Sequence, residues 1–535
     1  MSRIPTCVGA LTSLVFTLCA CSGELPTYTN TKVDSTALAK LSPVLALAVR
    51  ELAVTKGFTS LAGPAPVRPT LVRLGRLLAF DKILSGNRDI SCMTCHLPSL
   101  GTGDARSLSI GQGATGLGES RVHPQGAFIP RNAPPLFNLH ALSSLFWDGR
   151  VSTSGGSFHT PAGAQLTSQM TRVFEFGPVS ALPLFPVLSR EEMRAQTGNE
   201  LAAIADAERP AIWQALMTRL GAIPEYRELF ESAYPGTRFD DMSFAHASNA
   251  IAGFLLSELT FNDTPWDQFL LGNDNAMSQA QLEGAQTFLS IRCSLCHNGA
   301  AFTDNQFHNV AVPQFGPGQG DGALGNDDFG RMRVTGDPAD RYRFRTTPLR
   351  NVTFTGPYGH DGANAALREF IEHYSESHLK LMAFDPSRLE PLLRGTLVPN
   401  ANDILDRSRE FVRSHENTVY HAGYPTSYRL GTGAPSVQFS IAADGRTADI
   451  DVDYRASRAP RSLFNGHLTA SNSDVRSGDN ARRHERRWNG FANWWSDVFG
   501  GVRFGEHAEE GPFGVAPTRG WSTSPLSRRS SARVA

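Results

Sequence analysis

Hydrophobic positions recur with the spacing of an amphipathic helix in two separate stretches of the chain. The first stretch consists of Leu71, Leu74, Leu77 and Leu78. The second follows a Ser278-x-x-Gln281 pattern, typical of a helix N-terminal capping box, and consists of Leu282, Ala285, Phe288 and Leu289. Since each run lies shortly before a pair of cysteines, the pattern predicts the same unit twice, a helix leading into a cysteine motif.

Residues 415–535 show different patterns and form a predicted C-terminal extension of unknown role. Apolar residues alternate on both sides of the turn signal Asp444-Gly445, which predicts a β-hairpin: Val437, Phe439 and Ile441, then Ala448, Ile450, Val452 and Tyr454. Farther on, Trp488, Phe491, Trp494 and Trp495 recur at helical spacing. We expect a helix that packs on the body through its aromatic face, with a role for one tryptophan as a redox exit point as the alternative.

The first twenty residues have the pattern of an export signal. Arg3 precedes a mostly apolar stretch, Val8 to Ala20, which is too short to span a bilayer. The stretch ends in Leu18-Cys19-Ala20-Cys21, similar to the lipobox of bacterial lipoproteins. We therefore expect a signal peptide over 1–20, a lipid on Cys21 and a periplasmic protein anchored to the outer membrane. A secretory signal without lipid is the alternative, and 21–67 would form a tether with a short helix near 36–54.

Composition limits the class of protein. The chain of 535 residues is 19% charged and 41% hydrophobic, as expected of a folded protein. Lysine plus arginine number 50 against 51 acidic residues, a formal net charge of -1. This balance gives no electrostatic basis for binding nucleic acid.

The cysteines indicate two haem groups. Of the seven, Cys7 and Cys19 lie in the signal and Cys21 directly follows it, and the other four form two C-x-x-C-H motifs, Cys92 to His96 and Cys293 to His297. This motif attaches c-type haem through two thioethers, and its histidine becomes the proximal iron ligand. A zinc site and a redox dithiol are the alternatives; zinc would need further ligand clusters, and a dithiol needs no trailing histidine.

The 201-residue separation of the two motifs predicts one domain for each haem. We expect a mainly α fold with two cytochrome c-like haem domains, 68–260 and 261–414, whose haems face a shared interface. The extension after these domains would contribute some β structure.

Several further motifs resemble those of bacterial dihaem cytochrome c peroxidases and the related MauG-type enzymes, over roughly residues 68 to 400. They are Leu74-Gly75-Arg76-Leu77-Leu78-Ala79-Phe80-Asp81, Arg131-Asn132-Ala133-Pro134, Phe146-Trp147-Asp148-Gly149-Arg150, Phe307-His308-Asn309, Phe344-Arg345-Thr346, Leu349-Arg350-Asn351-Val352 and Pro357-Tyr358-Gly359-His360-Asp361-Gly362.

The resemblance implies that peroxide reacts at the His96 haem and that the His297 haem stores or relays an electron. The family uses a glutamine and, ten residues later, a glutamate as acid/base group, a spacing that Gln165 and Glu175 keep. Residues 151–164 look like an insertion, so Glu191 or Glu192 is the alternative for the glutamate.

Other roles are carried over in the same way. Trp147 matches an aromatic residue between the haems that divides a long electron transfer into two shorter ones; a core tryptophan is the alternative. Asn132, Thr355 and Pro357 match oxygen ligands of a calcium ion between the haems.

The second haem's distal ligand separates two mechanisms. Family spacing from Thr355 leads to Tyr374, where peroxidases proper have methionine and MauG-type enzymes have tyrosine. With tyrosine, both haems would share the oxidising equivalents of peroxide as high-valent irons, without prior reduction. The alternatives for this ligand are His373, His378 and Met382.

Two positions limit the analogy. Ile291 stands where MauG carries a tryptophan as the exit to its protein substrate. His123 lies near the position of a distal histidine on a movable loop, although a solvent-exposed loop histidine is equally consistent.

The sequence predicts a peroxidase that reduces hydrogen peroxide with an electron-donor protein, a small cytochrome c or a cupredoxin. A MauG-like oxidation of a partner protein is the first alternative. A dihaem electron-transfer protein without catalysis is the second.

Overall fold

Helices make up most of the regular structure in the computed structural model, which describes residues 43–124, 127–415, 436–441, 447–453 and 468–471. The α-helices in these residues are Pro43–Thr55 (α1), Pro69–Phe80 (α2), Cys92–Cys95 (α3), Ser168–Thr171 (α4), Pro178–Ala181 (α5), Arg209–Gly221 (α6), Pro224–Ala233 (α7), Phe244–Glu258 (α8), Pro265–Leu270 (α9), Gln279–Ser290 (α10), Cys293–Cys296 (α11), Met332–Thr335 (α12), Leu367–Met382 (α13) and Ala401–His415 (α14). The prediction of a mainly α fold is confirmed.

The helix predicted before the first cysteine motif is α2, which packs against α8 in the largest hydrophobic cluster. Proline occupies its first turn, and Leu71, Leu74 and Leu78 are buried on one face. A Cβ at Gly75 would lie 1.8 Å from the carbonyl oxygen of Ala250 on α8. The two helices therefore approach so closely that only glycine fits at this position. The cluster extends to the first C-x-x-C segment, whose cysteines pack at its edge.

The second predicted helix is α10, and its capping box is present. The Ser278 side chain accepts the Gln281 backbone N–H at 3.3 Å, and the Gln281 side chain accepts the Ser278 backbone N–H at 2.6 Å. Leu282, Phe288 and Leu289 are fully buried. The helix ends directly before α11, so the sequence pattern correctly identified the unit that carries the second cysteine motif.

The chain before α2 packs on the second cysteine motif, not on the first. α1, which overlaps the expected 36–54 helix, lies against α10 and buries Ala46, Val49 and Ala53. We call residues 43–62 the N-terminal arm. The arm packs on the rest of the folded chain, whereas the sequence predicts a tether with a short helix for these residues.

Strands form three small antiparallel sheets in the described residues. They are Ser144–Leu145 (β1), Val151–Ser154 (β2) and Ser157–His159 (β3) in the first sheet, Phe307–His308 (β4) and Phe344–Arg345 (β5) in the second, and Ser436–Ile441 (β6), Thr447–Asp453 (β7) and Leu468–Ser471 (β8) in the third. The first sheet contains part of the predicted insertion 151–164. In the third, Val437 pairs with Val452 and Phe439 with Ile450, which confirms the predicted hairpin and adds a strand to it.

All described residues belong to one compact unit, Ser42–Ala535, so the domain boundaries 68–260 and 261–414 remain predictions. A hydrophobic cluster combines residues of both halves: Leu108, Ile110, Ala114 and Phe128 with Val312, Phe315, Ala363, Leu389 and Leu393. No helix in the described part of the chain is long and apolar enough to cross a membrane. The signal, Cys21 and the aromatic segment around Trp488 lie outside the described residues.

Candidate haem centres

The first C-x-x-C-H motif is a single helical turn, α3, that ends at His96. Ser91 and Thr94 cap the turn reciprocally. The Nδ1 atom of His96 donates to the carbonyl oxygen of Thr102 at 2.9 Å. Because a carbonyl only accepts, this bond fixes the proton on Nδ1 and leaves the Nε2 lone pair for a metal.

The second motif repeats this arrangement. α11 ends at His297, whose Nδ1 donates to the carbonyl oxygen of Phe302 at 3.1 Å. Thr102 and Phe302 both have left-handed backbones, with φ of 60° and 56°. Such a φ is unfavourable for a residue with a side chain, so each carbonyl is held in place by its surroundings. Both histidines are thus oriented as proximal iron ligands.

The four cysteines of the motifs are free and partly buried. Burial raises the pKa of Cys92 to about 11 and the pKa values of Cys95 and Cys293 to about 12. Each pair of thiols with its adjacent histidine matches the attachment of one porphyrin, whereas a zinc site would need further ligands beside the pair. The chemistry of the donors therefore fits covalent haem.

One group of metal-type side chains in the described residues competes with this interpretation. The donor atoms of Cys296, Asp304 and His308 lie within 4.8 Å of one another. The His308 ring nitrogen contacts the Asp304 carboxylate at 2.8 Å, and this bond first, with Cys296 next, raises the pKa of His308 to about 9. A protonated imidazole is no metal ligand, so the set favours an ion pair beside the motif.

A cavity of about 1360 Å³ adjoins the second motif. Its walls include Cys293, Cys296, His297 and Tyr374. The ring of Tyr374 is also 5.3 Å from that of Phe370 and 5.9 Å from that of Phe411. A large cavity bounded by a C-x-x-C-H motif and a phenol fits a haem with two axial protein ligands.

The alternatives for the distal ligand do not line this cavity. His373 is buried, and its Nε2 contacts the carbonyl oxygen of Val310 at 2.7 Å. His378 is exposed, and Met382 at the end of α13 is 51% exposed. Burial raises the pKa of Tyr374, so its phenol stays protonated unless a metal ion displaces the proton.

Trp147, the candidate residue for electron transfer between the haems, and the candidate calcium ligands border the same cavity. Trp147 is buried, and its Nε1 donates to the backbone carbonyl of Asn132 at 2.8 Å. The side-chain nitrogen of Asn132 donates to the Arg106 carbonyl at 2.8 Å, which turns the amide oxygen away from that carbonyl. Thr355 and Pro357 also line the cavity. The three proposed calcium ligands thus lie along one wall.

A buried ion network joins the Trp147 segment to the second half of the chain. Arg131 donates to Asp148 at 2.7 Å and to both carboxylate oxygens of Asp328, at 2.6 and 2.8 Å. Burial by itself would raise the carboxyl pKa values, but Arg131 keeps those of Asp148 and Asp328 below the ordinary value. Asp148 follows Trp147 directly, so the network fixes the position of the tryptophan relative to the Asp328 segment of the second half.

Gln165 and Glu175 lie in different surroundings. Glu175 is exposed and binds both guanidinium nitrogens of Arg68, at 2.6 and 2.9 Å, and the amide of Asn249 at 2.9 Å. Gln165 donates to the carbonyl of Ala207 at 2.9 Å. The structure does not bring this pair together beside the first motif.

Glu192, by contrast, lies close enough to the first motif to raise the pKa values of Cys92 and Cys95 electrostatically, after the larger effect of burial. It belongs to a single π-helical turn, Arg190–Arg194, a feature frequent at functional sites. Burial raises the pKa of Glu192, and Arg150 is the first of the groups that lower it. The insertion 151–164 displaced the sequence alignment from this carboxylate, and Leu182 stands ten residues before it.

The two positions that limit the analogy are also placed. Ile291 lines the cavity of the second motif. His123 is half-buried, and its Nε2 would lie 3.1 Å from a Cβ at Gly113. The side chains of Arg106 and Arg121 bind backbone carbonyls of this loop, including those of Glu119 and Gly111. A role for His123 as a ligand remains a prediction.

Comparisons with known proteins agree with this geometry. The family model described as di-haem cytochrome c peroxidase matches residues 69–275. The chain is 28% identical to the methylamine utilization protein MauG of Methylorubrum extorquens over 310 residues, 58% of this chain and 69% of the relative. It is 29% identical to cytochrome c551 peroxidase of Pseudomonas aeruginosa over 306 residues, 57% of this chain and 72% of the relative. It also resembles the crystal structure of a MauG-like protein associated with microbial copper homeostasis, with 26% identity, a TM-score of 0.44 and coverage of 59% of this chain and 81% of that one.

A mainly α fold with two histidine-bearing cysteine motifs defines a haem protein. Together with the family model and the two relatives, it indicates a peroxide-dependent oxidoreductase that is similar to the dihaem cytochrome c peroxidase/MauG family.

Proposed function

We propose that this chain reduces hydrogen peroxide at a covalent haem held by Cys92, Cys95 and His96. A second covalent haem, on Cys293, Cys296 and His297, relays the electrons. The electron donor is a small cytochrome c or a cupredoxin. When bound, haem supplies the redox-active iron at which the O–O bond of peroxide is cleaved. The halves 68–260 and 261–414 each carry one of these centres.

The observation that carries this proposal is Tyr374 in the wall of the second cavity, together with Cys293, Cys296 and His297. The competing side chains are bound elsewhere or exposed. Tyr374 as distal ligand favours the oxidised form of the second centre, because an anionic oxygen donates charge to iron. With Tyr374 as ligand, the fully oxidised protein would need no prior reduction before it reacts with peroxide.

Glu192 is the proposed acid/base group at the first centre. It takes a proton from one peroxide oxygen and returns it to the departing oxygen. Its raised pKa suits this task, since burial brings the carboxyl closer to the working pH. Glu175 is the weaker candidate, because its carboxylate is already paired with Arg68 on the surface.

Trp147 is the proposed intermediate for electron transfer, because it lines the second cavity and its neighbour Asp148 is held in the buried network that joins the two halves of the chain. A calcium ion held by Asn132, Thr355 and Pro357 completes this wall. Export, the signal over 1–20 and a lipid on Cys21 complete the proposal for the part of the chain before α1.

Oxidation of a partner protein's side chain is the second candidate function. Tyr374 favours it, since a MauG-like reaction also starts from the oxidised protein. Ile291 opposes it, because an aliphatic side chain lines the cavity where MauG has its redox-active tryptophan.

The test is a titration of purified, fully oxidised protein with one equivalent of peroxide and no reductant, followed by optical and EPR spectroscopy. We expect the ferric signals of both haems to disappear promptly. A reaction that requires prior reduction of one haem would contradict Tyr374 as ligand. A protein inert in both states would be an electron carrier.

A further inference from the structure

The N-terminal arm is attached to the second cysteine motif at several points. The Arg50 side chain donates to the Phe269 carbonyl at 3.0 Å and forms an ion pair with Asp274. Lys56 donates to the hydroxyl of Ser294, inside the C-x-x-C segment, at 3.3 Å. The arm precedes residue 69, where the family match begins.

Phe58 of the arm enters an aromatic cluster behind the proximal histidine. It is 1% exposed, and its ring lies 6.3 Å from those of Trp266 and Phe288 at steep angles and 5.2 Å from that of Phe302. Phe302 also contacts Trp266 at 5.8 Å and Phe288 at 6.0 Å. Three aromatic rings from three segments of the chain therefore surround Phe302.

Phe302 is the residue that orients His297. Its carbonyl accepts the Nδ1 proton of His297 at 3.1 Å, and its backbone has a φ of 56°. A bulky residue at positive φ is strained and persists only where its surroundings hold it. The aromatic cluster supplies this restraint, and removal of one ring releases part of it.

We propose that Phe58 is a positioning residue for the second haem, acting through Phe302 on the orientation and basicity of His297. The proposal rests on the proposed haem at His297. Donation from Nδ1 to a fixed carbonyl makes a histidine a stronger donor to iron and so lowers the reduction potential. The N-terminal arm is thus a part of the second redox centre, although it is far from that centre in the sequence.

The first centre provides an internal reference. Thr102, the counterpart of Phe302, is held by its own hydroxyl, which donates to Gly101 at 2.6 Å and accepts the Leu136 N–H at 2.8 Å. These contacts involve no residue of the arm. A change at Phe58 is therefore expected to affect the second haem and leave the first unchanged.

The experiment compares Phe58→Ala, Phe58→Leu and Phe230→Ala in the holoprotein. Phe230 is equally buried, but it contacts Phe239 in the half of the chain that carries the first motif. It therefore controls for a general loss of packing. Haem content is measured by the pyridine haemochrome assay, and the potential of each haem by spectroelectrochemical titration with EPR. Two haems in the wild type establish that the underlying assignment holds; fewer would overturn the proposed function itself.

With two haems present, we expect Phe58→Ala to raise the potential of the second haem and shift its ferric g-values, with the first haem unchanged. Phe58→Leu, which keeps much of the volume, should give a smaller shift in the same direction, and it serves if the alanine variant does not fold. Unchanged potentials and g-values in Phe58→Leu or Phe58→Ala, or an equal shift in Phe230→Ala, would overturn the positioning role.

Discussion

At both C-x-x-C-H segments a short helix ends on a histidine whose Nδ1 donates to the carbonyl of a residue with positive φ. The surroundings of that residue differ. Thr102 is held by two hydrogen bonds of its own hydroxyl, whereas Phe302 is held by packing among aromatic rings, one of which comes from the N-terminal arm. The same backbone conformation is thus stabilised locally at the first centre and by distant segments at the second.

The other side of each proposed haem differs as well. The first motif has a partly buried carboxylate nearby, Glu192, influenced by Arg150, which suits proton transfer. The second has Tyr374 in an aromatic wall, which suits a six-coordinate iron that stores charge. In the proposed function, the side chains around two nearly identical motifs therefore assign proton transfer to the first centre and charge storage to the second.

The largest effect should come from replacing the proton-transfer group of the first centre. We expect Glu192→Gln to slow the reaction with peroxide by about 10²–10⁴-fold, because the amide cannot accept the peroxide proton. Stopped-flow spectroscopy measures the rate. Glu175→Gln is the matched control and should stay near the wild-type rate; the reverse order would return the role to Glu175.

The second largest effect should come from breaking the buried ion network of Arg131, Asp148 and Asp328, which joins the two halves of the chain. Arg131→Met should lower the free energy of unfolding by about 3–5 kcal/mol, because it removes the guanidinium partner of buried Asp328 and leaves buried Asp148 with Arg150 alone. Arg227→Met, which breaks the exposed pair with Asp240, should cost at most about 1 kcal/mol. Urea unfolding monitored by circular dichroism distinguishes the two.

The pH dependence of that loss follows from the pKa directions. Although burial opposes it, Arg131 keeps the folded-state pKa values of Asp148 and Asp328 below the ordinary value. Their contribution to stability is therefore present above the unfolded pKa of about 3.9 and is lost as the pH falls through the folded values. The difference between wild type and Arg131→Met should therefore narrow only below about pH 4 to 5; a difference that stays constant from about pH 5 to 2 would argue against the network.

At the second centre, Tyr374→Met exchanges an anionic oxygen for a thioether. We expect the potential of the second haem to rise by about 0.1 V or more, within the ~0.8 V range that axial ligands cover, and the oxidised variant to need prior reduction before it reacts with peroxide. Tyr358→Phe changes a phenol in the same cavity that only donates to Val352, at 2.9 Å, and should leave both properties unchanged. Equal behaviour of the two variants would exclude Tyr374 as ligand.

Local sequence patterns were sufficient for features whose partners are near in the chain. The capping box of Ser278, the apolar face of α2 and the hairpin around Asp444-Gly445 each depend on a few consecutive turns or residues. The role of Tyr374 rests on family spacing and stays a prediction. For the acid/base group, which stays a prediction, family spacing points to Glu175 with Glu191 or Glu192 as the alternative, and only the folded chain brings Glu192 toward Cys92. Contacts such as Phe58 with Phe302 join residues 244 positions apart, and no periodicity encodes them.

The smallest expected effect tests whether the first centre is held locally. Thr102→Val keeps the shape and the β-branched strain of the residue but removes both hydroxyl bonds, and leaves the buried N–H of Leu136 without its acceptor. The free energy of unfolding should fall by about 1–3 kcal/mol. The potential of the first haem should rise while that of the second stays constant, the mirror image of the change expected for Phe58→Ala.

Thr102→Ser is the control, because it retains the hydroxyl that bonds Gly101 and Leu136. It should recover the wild-type potential of the first haem even if some stability is lost with the methyl group. If serine and valine shift the potential alike, then the shape of the side chain and not its hydrogen bonds holds the carbonyl to His96. The first centre would in that case be restrained by packing, as the second is.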